Sequence, residues 1–116
     1  GCQAVELKND QVSTIVAYIN RNYARITTLD AIADAFFISK YHLCRIFKNA
    51  MKVTVIEYLN QIRIRNARQL LEFSDKDIGQ VAQLCGFRST AYFCNLFRKL
   101  TGTSPTEFRR EKRGVR

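Results

Sequence analysis

The segment from Ser39 to Asn49 is written twice in this chain, and that duplication limits what the chain can fold into more than any other feature. In the first copy Leu43, Ile46, Phe47 and Ala50 fall at i, i+3, i+4 and i+7, one face of an α-helix. Tyr41, Cys44, Arg45 and Lys48 repeat that spacing on the opposite face. The second copy runs from Ser89 to Lys99, fifty positions later, with Phe93, Leu96, Phe97 and Leu100 as its apolar face. Ser39/Ser89, Cys44/Cys94, Phe47/Phe97 and Glu57/Glu107 are identical pairs, and Tyr58 matches Phe108. A unit used twice, buried on one side and polar on the other, implies two similar small helical packs in one chain.

The rest of the chain reads as helices around these two. One proline, five glycines and no sustained two-residue alternation make the fold class all-α. Asn9-Asp10 can cap a helix over about residues 11–22, with Val12, Ile15, Val16 and Ile19 inward. Thr27-Thr28 opens a short second helix that stops near Ala35–Phe36, with Leu29, Ile32 and Ala33 inward. Ser39 caps the third, so helices two and three form a helix-turn-helix, with Phe37 at a turn position that favours glycine. Thr54 caps a long connector over residues 55–73, with Tyr58, Leu59, Ile62, Ala67, Leu70 and Leu71 inward. At 1.5 Å per residue that connector is about 28 Å long. Ile78, Val81, Ala82, Leu84 and Cys85 form a fifth helix stopped at Gly86, and Ser89 caps the sixth. Ser104-Pro105 opens a last short helix through Phe108. This gives about seven helices: two helix-turn-helix subdomains, residues 9–53 and 74–110, joined by the connector 54–73. Residues 1–8 read as the tail of a linker and 111–116 as a basic, fraying tail.

The net charge is +9, and it is unevenly placed. Sixteen of nineteen Lys/Arg but only six of ten acids lie in residues 39–116, where the duplicated helices begin. A polyanionic partner follows from that excess; the competing reading is a solvated basic surface. The cysteines, Cys2, Cys44, Cys85 and Cys94, form no Cys-x-x-Cys pair, and His42 is too close to Cys44 for finger-type spacing, so no metal is expected. Disulfides are not expected in what reads as a cytoplasmic composition. Cys85 reads as a core residue, and Cys44 and Cys94 as members of the displayed faces. No apolar run reaches the length of a membrane span, and residues 1–6 show no signal-peptide pattern. One histidine, no phosphate-cradling glycine loop and no paired carboxylates leave no basis for an enzyme or a cofactor. A helical protein-interaction module with incidental basic charge is the other class, and it requires an exposed apolar patch.

Residues from about 10 to 110 resemble the DNA-binding domain of AraC/XylS-type transcription regulators. The resemblance lies in Ser39-Lys40-Tyr41-His42-Leu43-Cys44-Arg45-Ile46-Phe47-Lys48 and in Tyr58-Leu59-Asn60-Gln61-Ile62-Arg63-Ile64. It continues in Ile78-x-x-Val81-Ala82-x-x-Cys85-Gly86-Phe87, in Tyr92-Phe93-x-x-Leu96-Phe97-Arg98-Lys99 and in Gly102-Thr103-Ser104-Pro105 with Phe108-Arg109. Two positions depart from the pattern. Lys52 stands where many members have glycine, so it must accept a left-handed conformation or the turn must change. Asn95 stands where many have arginine, which removes a guanine-gripping fork from the second copy.

The resemblance implies double-stranded DNA as partner, two recognition helices in successive major grooves, and regulation, by family habit activation, of bacterial transcription. It also implies RNA polymerase and a separate effector-binding, dimerisation or receiver domain as partners, so the chain reads as part of a longer protein. Such a longer protein includes the DNA-repair type that carries this domain. The candidate base readers are Tyr41, Arg45, Arg88, Thr90, Ala91 and Asn95. Arg45 can grip guanine O6/N7, Asn95 can pair with adenine N6/N7, and Ala91 can meet a thymine methyl. The competing reading of Arg45 is a phosphate contact or a plain surface residue, and that of Tyr41 a half-buried structural ring. Ser39, Lys40, His42, Lys48, Asn49, Ser89, Arg98 and Lys99 are the candidate backbone contacts or helix caps. Arg63 reads as a structural arginine paired with nearby acids.

Overall fold

Among its described residues, a computed structural model of the chain has seven helices: α1 (Cys2–Asn22), α2 (Leu29–Ala35), α3 (Lys40–Met51), α4 (Val55–Phe73), α5 (Ile78–Leu84), α6 (Thr90–Thr101) and α7 (Pro105–Arg113). It describes the backbone of residues 2–26 and 28–114, and side chains from Gln11 onward within those limits. Thr27, one of the two expected caps of α2, lies outside the described residues, as do Gly1, Val115 and Arg116. No strand is present among the described residues. The chain divides into two compact units, Gly1–Asn60 and Gln61–Arg116, with the division inside α4.

Side-chain oxygens set the helix starts. Thr28 Oγ1 accepts the Ala31 N–H at 3.1 Å, Ser39 Oγ that of His42 at 3.0 Å, and Ser89 Oγ that of Tyr92 at 3.1 Å. Thr54 and Glu57 close a reciprocal capping box at the start of α4, and Asp77 and Gln80 close another at α5. Ser104 caps α7 with Pro105 behind it.

In the first unit α1, α2 and α3 surround a core of Val12, Ile15, Ile19, Ile32, Ala33, Leu43 and Phe47, closed by Val55 and Leu59 from the start of α4. Tyr18 meets Phe36 edge-on at 5.5 Å, and Phe47 meets Tyr58 at 5.7 Å. The Tyr58 hydroxyl donates to Asn20 Oδ1 at 3.2 Å, so this ring is packed at one end and wet at the other. In the second unit a row of rings runs Phe87–Phe93–Phe97–Phe108, with centroids 5.1, 5.7 and 5.4 Å apart. Ile62, Ile64, Ala67 and Leu71 of α4 are buried, as are Val81, Ala82 and Cys85. Arg63 stacks its guanidinium 5.6 Å from the Phe87 centroid, and burial holds its pKa below the usual arginine value. Arg109 donates to the Leu71 and Ser74 carbonyls, satisfying acceptors that the end of α4 leaves open.

Several expectations change. Helix α1 begins at Cys2, nine residues before the expected start at Gln11, and Asn9-Asp10 lie inside it. Residues 2–22 contain no glycine or proline to interrupt the ladder. Helix α7 continues past Phe108 to Arg113, through half of the tail expected to fray. It is held there by Arg113, which pairs with Asp75 at 2.9 Å and donates to the Ser74 and Glu72 carbonyls. Ala50, Leu84 and Leu100, expected inward, are exposed. Each lies at the last turn of its helix, beyond the neighbours that cover the middle of the stripe.

Both helix-turn-helix turns close in the same way. Phe37 N–H reaches the Asp34 carbonyl and Ile38 N–H the Ala33 carbonyl; Gly86 N–H reaches Gln83 and Phe87 N–H reaches Ala82. That double bond needs a left-handed residue, and Phe37 takes it at φ 57° where Gly86 takes it at φ 96°. Lys52 likewise adopts φ 66° where its counterpart Gly102 has φ 84°. A side-chain-bearing residue in this region costs about 1–2 kcal/mol, against the roughly 0.5–1 kcal/mol that glycine loses through unfolded-state freedom. Phe37→Gly and Lys52→Gly should therefore each raise the unfolding free energy by about 0.5–1 kcal/mol, read as a higher urea midpoint at constant slope.

The α4 box carries a pH signature. The Thr54 backbone N–H and then its hydroxyl, with Lys48 adding a smaller share, hold the Glu57 carboxyl below the ordinary carboxylate range. A depressed folded pKa contributes stability above the unfolded value, near 4.3, that is lost as pH falls through the folded value. The melting temperature should drop with acidification below pH of about 4.3, and Glu57→Gln should flatten that part of the curve.

Candidate nucleic-acid interface

Leu43 and Phe47 are fully buried, and they fix how α3 is turned about its axis. At 100° per residue, Tyr41, Arg45 and Asn49 then project away from the core, and all three are exposed. Tyr41 is 80% exposed, so the half-buried structural role weighed for it does not apply. The Lys40 ammonium sits 5.6 Å from the Tyr41 ring centroid. Arg45 Nη2 donates to His42 Nδ1 at 3.3 Å. An arginine can only donate, so in this contact Nδ1 is the acceptor. His42 thereby gives the exposed Arg45 guanidinium a partner one turn away on the same helix. Beside this face lies an open hollow of about 510 Å³, lined by Leu29, Tyr41, Cys44, Arg45, Lys48 and Ile56 among others.

Helix α6 repeats the arrangement. Phe93 and Phe97 are fully buried, and Ala91, Asn95 and Lys99 are exposed at the positions of Tyr41, Arg45 and Asn49. The turn before α6 is one residue longer than that before α3. Two residues separate left-handed Gly86 from Ser89, but only Ile38 separates Phe37 from Ser39. The extra residue is Arg88, exposed at the entry to the helix. Thr90 is exposed at the first turn, and its hydroxyl oxygen lies 3.7 Å from the place a Cβ would take on Gly79 of α5. Arg98 faces Glu107 of α7 at 3.7 Å, with both side chains more than half exposed. Such a pair is weak, worth about 0–1 kcal/mol, and leaves the guanidinium available to a phosphate.

Ser39 and Ser89 act as caps; Lys40, Lys48 and Lys99 are exposed, with no ion pair within 4.0 Å among the described residues. Cys44 and Cys94 are half-buried at the flank of the displayed faces, not on them. Two exposed aromatic residues stand outside the expected set of contacts. Tyr92 stands at the position of His42, half exposed with its ring tilted on Phe87 at 6.1 Å. The fifty-residue offset from His42 was the signal that could have found it. Phe37, 95% exposed just ahead of α3, was legible only as a turn residue.

A family profile described as "Helix-turn-helix domain" matches residues 32–111. A transcriptional regulator from Chromobacterium violaceum, described as containing an AraC-type DNA-binding domain, superposes with a TM-score of 0.81. It has 28% identity and the match covers 90% of this chain and 93% of that one. The chain belongs to the AraC-type helix-turn-helix family. Within the family, the DNA-binding domain of AdpA, a global transcriptional factor solved in complex with a target DNA, superposes at TM-score 0.84 with 27% identity. That match covers 89% of this chain and 93% of AdpA's domain. The bifunctional transcriptional activator/DNA repair enzyme AdaA of Bacillus subtilis (strain 168) is 37% identical over 101 residues, 87% of this chain and 48% of AdaA. The chain spans about a third to a half of the length of the curated relatives it matches.

The three thiols of this AraC-type domain among the described residues differ in burial: Cys85 is buried, and Cys44 and Cys94 are half-buried. Burial pushes the Cys85 thiol up to about 11, with Arg63 pulling weakly the other way. A thiol-directed alkylating reagent at pH of about 8, near the ordinary thiol pKa, should modify Cys44 and Cys94 well before Cys85. Peptide-resolved mass spectrometry checks this, and Cys85 should react only on unfolding.

Proposed function

We propose that this chain is the DNA-reading part of a bacterial transcription regulator, with α3 and α6 entering successive major grooves of one duplex. In this reading Arg45 grips a guanine and Asn95 an adenine, each with about 1–3 kcal/mol of discrimination against the wrong base. Tyr41 and Ala91 offer apolar contacts to thymine methyls. Thr90 and Arg88 add contacts at the start of α6. Lys40, His42, Lys48, Asn49, Arg98 and Lys99 hold phosphates, and the amide groups behind Ser39 and Ser89 assist.

One observation carries the proposal. Two helices of one chain bury matching Leu43/Phe47 and Phe93/Phe97 pairs and so display the same positions outward. The AdpA complex with its target DNA, so similar in fold, lends support. The role implies a cytoplasmic location, activation as the outcome, RNA polymerase as partner, and an effector-binding, dimerisation or receiver domain working with this one. We assign this chain the DNA-binding role alone; the repair activity named for AdaA concerns a protein of which it spans 48%.

Selection of bound sites from random duplex DNA tests the reading. The expected product is an asymmetric bipartite motif with half-site centres about one helical turn apart. Arg45→Ala should relax one half and Asn95→Ala the other, each weakening the selected site by about 5- to 150-fold. Salt-sensitive binding with no enriched motif would reduce the role to phosphate attraction.

A further inference from the structure

We propose that the groove between α4 and α7 docks an acidic polypeptide segment carrying an apolar side chain. The groove is a hollow of about 260 Å³ that includes Arg65, Arg68, Glu72, Phe73, Phe108 and Lys112 in its lining. Its charge is unbalanced. Arg68 and Lys112 both sit over the Phe108 ring, at 5.5 and 5.6 Å from its centroid. Neither they nor Arg65 have an ion pair within 4.0 Å among the described residues. Of the neighbouring cations, Arg113 is engaged by Asp75 and Arg109 by the carbonyls of α4, while Arg98 has only the weak, exposed contact with Glu107. Three cations around one carboxylate are complementary to a partner with several acids.

The position argues against the DNA read by α6. Phe108 packs on Phe97, while Asn95, two residues before Phe97, projects about 200° away around the helix. The α7 side of this unit therefore backs the reading face. The chemistry also differs from a phosphate surface. Phe73, the last residue of α4, is 80% exposed in the lining, and a phosphate backbone has nothing apolar to lay on it. Arginine and aromatic side chains together in a concave site are what protein interfaces concentrate. Arginine forks take carboxylates in two-point contacts, and a leucine or phenylalanine between the acids would cover Phe73.

A fluorescein-labelled twelve-residue peptide with Asp and Glu flanking a central Leu-Phe, titrated against the full chain, provides the test. It should bind by fluorescence anisotropy, and its Lys-substituted counterpart should not. The double variant Arg65→Glu/Arg68→Glu should weaken the peptide at least tenfold while holding affinity for the selected duplex within about twofold. Arg65→Glu alone, which disturbs no ring contact, should give part of the loss, and Phe73→Ser a further loss that persists at high salt. The proposal is overturned if the acidic peptide does not bind or if charge reversal leaves its binding unchanged. It is equally overturned if Arg65→Glu/Arg68→Glu weakens the selected duplex as strongly as Arg45→Ala, because the cations then serve DNA.

Discussion

Two apolar anchors in each recognition helix decide what the rest of the structure can present. Leu43 and Phe47 in α3, and Phe93 and Phe97 in α6, lie one turn apart and have no exposed surface. Each buried side chain of this size contributes about 1.5–3 kcal/mol, against about 0–1 kcal/mol for any exposed ion pair on the same helices. Burial thus sets the rotation of both helices, and the polar residues take whatever direction remains. Arg45 and Asn95 point outward because the anchors point inward, and the Ser39 and Ser89 caps then fix where each helix begins.

Local strain and local caps share the work at the turns. Left-handed backbone is demanded after α2, α3, α5 and α6, and glycine supplies it only in the second unit. The first unit uses Phe37 and Lys52 at those places and relies on its core to hold them. The Phe37 and Gly86 turns keep the same pair of hydrogen bonds, so the strain is met without a change of turn. The one-residue insertion at Arg88 makes the two units unequal where the chain enters the second reader.

Charge is divided by use. Some cations are spent inside the fold: Arg63 on Phe87, Arg109 on the end of α4, and Arg113 on Asp75. Others stay on the displayed faces, with Arg45 partnered by His42. A third group, Arg65, Arg68 and Lys112, lines the hollow between α4 and α7, with Arg68 and Lys112 over the Phe108 ring. A net charge of +9 is therefore not one basic surface but is divided among the fold, the displayed helix faces and the hollow between α4 and α7.

Much of this was legible in the sequence because it depends on neighbours within one turn of helix. The four-residue spacing of Leu43 and Phe47, the Ser, Thr and Asp caps, the Pro105 start and the fifty-residue repeat define helices α2 to α6, the start of α7 and the two displayed faces. Nothing in local spacing limits where α1 begins, since residues 2–10 carry no helix breaker. Local spacing is equally silent on which end of an apolar stripe is covered: Ala50, Leu84 and Leu100 fit their stripes and remain exposed, because no partner lies across from them. Arg113 extends α7 only through Asp75 and carbonyls about forty residues away in the chain. Arg63 likewise finds Phe87, and Arg98 finds Glu107, only once the helices have packed. The sequence by itself determined helix phase and the residues each phase displays; tertiary structure decided which of those residues are covered, engaged or left free, because covering requires atoms from distant parts of the chain.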